Sequence, residues 1–193
     1  MLPIEVEEKL DPRVKRTRHL IEQAFMEVMR EKGFQALSIQ DLTERAGINR
    51  STFYAHFQDK YALLDHTIRQ GFKEEIDKRM LNACHYSEDN LHNLIMGVCE
   101  YIRTINSRCQ PPQKQFESLV ESQVKSVLYE LLLKWLSELS IAVAPETAAT
   151  AASWAIYGLA LQWSYAKQPQ PLDEFASQVI PLVISNLKLE PAA

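Results

Sequence analysis

This chain is poor in the residues that mark most enzymes and most non-cytosolic proteins. Glycine occurs 5 times in 193 residues, and there is no glycine-rich phosphate loop, no HExxH and no nucleophile elbow, which argues against an enzyme. The three cysteines, Cys84, Cys99 and Cys109, form no CxxC pair. An odd, unpaired set without a leader points to a reducing cytosol rather than a disulfide framework. The opening residues, Met1 to Glu8, are short and acidic and lack an apolar core of signal length. No apolar run approaches the roughly 18 residues that a membrane span requires. These absences predict a cytoplasmic protein without a membrane partner. His66, His85 and His92 lie near Cys84 without metal-ligand spacing, so neither a metal nor a cofactor is expected. Alternating β-branched stretches are missing too, which leaves an all-α chain.

The charge is unevenly placed. The net formal charge is −4, unsuited to a protein that coats nucleic acid indiscriminately. From Arg13 to Lys60, however, nine Lys/Arg face six Asp/Glu, whereas from Leu81 onward seven face eleven. A basic head on an acidic body suits a reader that must not bind everywhere.

The head also carries the most informative motif, Ser38 to Lys60. Ser38 is a good N-cap, and Asp41, three residues on, can answer it. Ile39, Leu42 and Ala46 form an apolar stripe, and Gly47 follows where a helix end favours positive φ. Asn49 is expected to cap the next helix, and Phe53 and Phe57, four apart, give that helix its buried face. Arg50, Ser51, Thr52, Tyr54 and His56 are left as donor-rich groups on a short helix. A helix-turn-helix motif needs this arrangement to place side chains on base edges in the major groove. Gln40, Arg50, Ser51 and Thr52 are expected on bases, since Gln suits adenine and Arg suits guanine. Ser38, Tyr54, His56 and Lys60 are expected on phosphates, supported by Arg13, Lys15, Arg16 and Arg18 upstream.

Residues 13–65 resemble the DNA-binding domain of the TetR family of bacterial transcriptional regulators. The resemblance rests on the glycine turn, then Asn49-Arg-Ser-Thr-Phe-Tyr-Ala-His-Phe57, then Lys60-Tyr-Ala-Leu-Leu64. It covers about the first third of the chain. It implies a three-helix head, a connector helix and a variable helical body whose ligand does not carry over.

Reading along the chain gives a flexible arm at 1–11, a helix-turn-helix domain at 12–58, a connector helix at 59–82 and a regulatory and dimerisation domain at 83–193. Asp11-Pro12 predicts a helix start and Gly33-Phe34 its end. Further helices are expected from Ser87, from about Lys114 to Ser140, from Pro145 to about Lys167 and over about 173–189. Pro181 should kink the last one.

The last two helices are apolar around more than one stripe, which suggests a four-helix bundle across a two-fold axis. Ala152, Leu159, Trp163, Val179 and Val183 are the expected interface. A cavity between body helices is expected to take a small apolar or amphipathic effector, with Tyr101, Phe116, Gln123, Trp154 and Tyr157 as lining residues chosen for chemistry and helical position. The expected function is a ligand-responsive homodimeric repressor, bound to a palindromic double-stranded operator and released by a small molecule. The alternative is an activator, or a regulator controlled by a protein partner.

Overall fold

The computed structural model describes residues 11–79, 85–108 and 114–187. Among them the chain forms eight α-helices and no strand. Residues 1–10 of the arm expected at 1–11, the end of the connector at 80–82, Cys84, Cys109 and residues 188–189 of the expected last helix lie outside the described residues.

Local chemistry sets the helix boundaries. Helix α1 (Pro12–Ala36) starts with Asp11 accepting the Arg13 amide at 2.8 Å and Pro12 in the first turn. Its regular course breaks at Gly33, whose φ of 75° is open to glycine and strained for other residues. Helix α2 (Ile39–Ala46) begins with a reciprocal cap. The Asp41 amide donates to Ser38 Oγ, and the Ser38 amide donates to Asp41 Oδ2. Gly47 closes α2 with φ 64°, and a Cβ there would meet nothing within 4 Å. Its backbone angle, not crowding, is therefore what requires glycine. Helix α3 (Arg50–His56) follows. Asn49 occupies its cap position with extended backbone, but its side chain makes no capping bond, contrary to the expectation above.

Helix α4 (Lys60–Arg79) is capped by Asp59, which accepts from the amides of Tyr61 and Ala62 at 2.8 Å each. One face of α4 is buried through Leu63, Leu64, Ile68, Phe72 and Ile76, while Glu74 and Lys78 are exposed. The body comprises α5 (Glu88–Arg108), α6 (Lys114–Ser137), α7 (Pro145–Tyr165) and α8 (Leu172–Leu187). α6 packs on both α4 and α7, and α5 packs on α4, α7 and α8. The core is continuous from Ile21 in the head to Val183 in the body, with Trp135, Leu128 and Leu132 of α6 at its centre. Cys99 lies within it, its thiol pushed up to about 12 by burial, and acts as a small packing group. Pro181 sits inside α8 with its ring exposed, and the helix continues past it.

α4 joins head to body through specific contacts. Arg69 pairs with Glu130 at 2.6 Å, the Tyr101 hydroxyl donates to the Ile68 carbonyl at 2.7 Å, and Arg79 pairs with Glu100. Gly97 lets α5 come close, since a Cβ there would stand 3.0 Å from Ile76 Cδ1.

Candidate nucleic-acid interface

The reading face forms because α3 buries its aromatic side. Phe53 is fully buried and Phe57 nearly so, with ring centroids 6.0 Å apart, and Leu42 of α2 is buried in the same core cluster. Seven residues are too few to hold a helix in water, so α3 depends on this packing. Arg50, Ser51 and Tyr54 are left exposed, and Thr52 and His56 half-buried. The Tyr54 ring stands edge-on to Phe53 at 5.7 Å, and the side chain is more than half exposed.

Two of the expected base readers are tied together. Arg50 donates through Nη2 to Gln40 Oε1 at 3.1 Å, and Gln40 donates through Nε2 to Glu44 Oε1 at 2.9 Å. This chain crosses from α2 to α3 and presets the Gln40 amide and the Arg50 fork beside each other. The remaining guanidinium donors stay available to a base edge.

The four expected phosphate groups are placed differently from one another. The Ser38 hydroxyl serves the α2 cap, donating to Asp41 Oδ2 at 2.8 Å. Asp41 also accepts from Lys32 at 2.6 Å, and these bonds hold its carboxyl down at about 2. Burial, and then the charge of Arg18, lower the His56 pKa and favour the neutral ring, which accepts at one nitrogen and donates at the other. Tyr54 is exposed.

Lys60 does not project from the surface as a phosphate ligand would. Its ammonium donates to the carbonyls of Phe34, Gln35 and Leu37 at 3.1, 3.2 and 2.9 Å, and lies 4.9 Å from the Phe34 ring centroid. An ammonium has three N–H donors, and all three are engaged within the head. Arg45 is likewise held by Glu27 and Glu31, at 3.0 and 2.8 Å. The positive field of the head therefore comes from α1 and Arg50 more than a residue count suggests. Sequence spacing gave no sign of these pairings, which join residues 9 to 26 positions apart.

A cleft of about 830 Å³ lies between α1, α4, α5 and the start of α6. Tyr101 and Phe116 line it with Met26, Met29 and Ile105, while Phe34, Leu64 and Ile68 form its deeper wall. Gln123, Trp154 and Tyr157 are not among its lining residues, so this cleft brings together two of the five residues expected to line a pocket. Trp154 instead lies 61% exposed, with the Lys125 ammonium 3.4 Å from its ring centroid. Tyr157 is buried, and burial followed by the nearby Glu121 charge pushes its hydroxyl up to about 12.

The expected interface residues lie mostly inward in the single chain. Ala152, Trp163, Val179 and Val183 are buried in the chain's own core, and Leu159 is half-buried. They have little surface left to give a second copy. Outward, α7 presents Trp154, Gly158 and Tyr165, and α8 presents Leu182. No described helix is long and apolar enough to cross a membrane, and the described residues contain no cluster of three potential metal ligands.

Comparison with known proteins bears on the head first. The family of bacterial regulatory proteins, tetR family, matches residues 21–67. The uncharacterised helix-turn-helix transcriptional regulator YxbF of Bacillus subtilis is 39% identical over 74 residues, covering 38% of this chain and 20% of that protein. DhaS of Lactococcus lactis, the transcriptional activator of the dhaKLM operon, is 25% identical over 116 residues, 60% of each chain. The chain thus spans less than two thirds of either relative. Among solved structures, a TetR-family regulator of Streptomyces coelicolor has a TM-score of 0.65 at 18% identity, covering 92% of this chain and 98% of that one. FadR of Bacillus subtilis, solved with stearoyl-CoA, has a TM-score of 0.54 at 15% identity, covering 87% and 98%. At such identities the likeness establishes a shared fold across head and body.

Proposed function

We propose that this chain, whose residues 21–67 match the tetR family of bacterial regulatory proteins, is a regulator of that family that acts as a homodimeric repressor on a palindromic operator and is released by a small molecule. DNA binding and transcriptional regulation are the roles to which the family match over residues 21–67 points. The observation that carries it is the preset Arg50–Gln40 pair on the exposed face of α2 and α3, above a fully buried Phe53. A reading surface this small, about one short helix, gains specificity by doubling. Two copies related by a two-fold axis dock on half-sites roughly 34–36 Å apart. Arg50, Gln40, Ser51 and Thr52 then meet bases, while Tyr54, His56 and the α1 arginines meet phosphates.

Selection from a random duplex pool should enrich an inverted repeat. Arg50→Ala should lower affinity for it by about 1–3 kcal/mol and relax preference at one position per half-site. Enrichment of no symmetric sequence would remove the reading.

The small-molecule half of the proposal draws on the cleft between α1, α4, α5 and α6. Methionine and aromatic walls adapt to varied apolar shapes. An apolar or amphipathic molecule seated there would press on α4 and α1 together and alter the head's angle to the body. To release DNA it must favour the non-docking arrangement, and a tenfold preference is about 1.4 kcal/mol of coupling. In a thermal-shift panel of apolar and amphipathic compounds, at least one should raise the melting temperature and weaken operator binding together. Thr104→Trp, which fills the cleft from α5, should abolish both effects. A panel without such a compound would favour a constitutive or partner-controlled regulator. The relative DhaS is an activator, which supports activation as the second reading. A reporter placed beside the selected site separates the two by the sign of its response.

A further inference from the structure

We propose that Lys60 is a positioning residue, a latch that fixes the entry of the reading helices, and not a ligand of the DNA backbone. It sits in the first turn of α4, and its ammonium reaches back to the segment that follows the Gly33 break in α1. There it closes on the carbonyls of Phe34, Gln35 and Leu37, all within 3.2 Å. Carbonyls at a helix end lack intrahelical partners and carry the negative end of the dipole, so a cation is the natural cap. The Phe34 ring lies beneath the charge at 4.9 Å, and the Tyr61 ring packs edge-on to Phe34 with centroids 5.1 Å apart. Cation, ring and three carbonyls thus form one closed cradle.

The segment so held leads straight into the reading unit. Leu37 is buried, and Ser38 beside it caps α2. Gln40, two residues on, orients Arg50. A displacement of 34–37 is therefore passed to the base-reading pair through two residues of chain. α4 is also the helix that packs on α5 and α6 of the body. Lys60 accordingly fastens the start of the connector to the start of the reading helices. Phe34 lines the α1–α4–α5 cleft as well, so the cradle shares a wall with the site suggested above for an effector. The latch does not depend on that site being occupied. It does depend on the DNA-reading role of α2 and α3.

The test is operator affinity across a salt series, measured well below the melting transition of each variant. Lys60→Met should weaken binding at least tenfold, with a slope of log K against log salt equal to wild type. A lost phosphate contact would instead flatten that slope by about 0.9. Phe34→Leu removes no charge and should reproduce the loss, and the double variant should be little worse than the more damaging single one, because both break one cradle. Lys60→Arg keeps the charge on a planar fork that does not fit three converging carbonyls. It should weaken binding several-fold and is the variant to use if Lys60→Met does not fold. Three results would each overturn the latch: a flattened slope in Lys60→Met, wild-type affinity in Lys60→Arg, or wild-type affinity in Phe34→Leu. The inverted-repeat selection described above tests the DNA reading separately, so failure of the latch and failure of that reading are distinguishable.

Discussion

Phe53→Ala should destabilise the head by about 3–5 kcal/mol, the range for removing a fully buried aromatic side chain, and should abolish operator binding. The size follows from position. Phe53 has no exposed surface, and its ring meets those of Tyr54 and Phe57 at 5.7 and 6.0 Å. α3 is seven residues long and lacks a side-chain cap from Asn49, so its helical form rests mainly on this burial. Whole domains have a stability of only about 5–15 kcal/mol, so the substitution removes a large part of it. For a chain of this size the melting temperature should fall by roughly 6 °C or more. Tyr54→Ala is the matched control, since that side chain is more than half exposed. It should leave melting nearly unchanged while weakening DNA binding. A Phe53→Ala protein that melts like wild type would mean that α3 is held by something other than its aromatic face.

Much of the head was legible because its determinants are local. The Ser38–Asp41 cap, the Gly47 turn and the Phe53/Phe57 spacing each lie within a few residues, where propensity and sterics act directly. The illegible parts join distant segments. Lys60 reads as a basic residue beside a phosphate until the turn at 34–37 is folded against it. Arg45 counts toward a positive footprint until Glu27 and Glu31 of α1 meet it. In the body, hydrophobic spacing identified which positions are apolar but not which side faces inward. α7 is rich in alanine on several sides, so its stripes carry little directional signal. Ala152 and Trp163 turn to the chain's own core, and Trp154 and Gly158 turn out. This cleft was illegible for a related reason. It lies between α1 and the α5–α6 region, more than 60 positions apart in the sequence, and helical position within the body alone does not reveal it.

Gly158→Arg should convert the protein to a folded monomer with operator affinity lower by a factor of about 10²–10⁴. Within a helix, glycine is less favourable than alanine by roughly 0.5–1 kcal/mol. Nothing among the described residues repays this, because a Cβ at Gly158 would meet none of their atoms within 4 Å. A second helix crossing closely at this point would use the space. The neighbouring surface fits such a crossing, with Trp154 one turn before Gly158 at 61% exposed and Tyr165 two turns after it at 58% exposed. An arginine at 158 has room in the single chain, so fold and melting behaviour should be kept while the crossing is blocked. Each head would then hold its half-site alone, without the effective concentration that a linked second head supplies, which is the origin of the expected factor. Gly158→Ala should show the same conflict in milder form, with a slightly more stable helix and a weaker dimer. Light scattering at micromolar concentration, read beside operator titrations, measures both effects. A wild-type monomer, or a Gly158→Arg dimer, would place the two-fold axis elsewhere on the molecule or remove it.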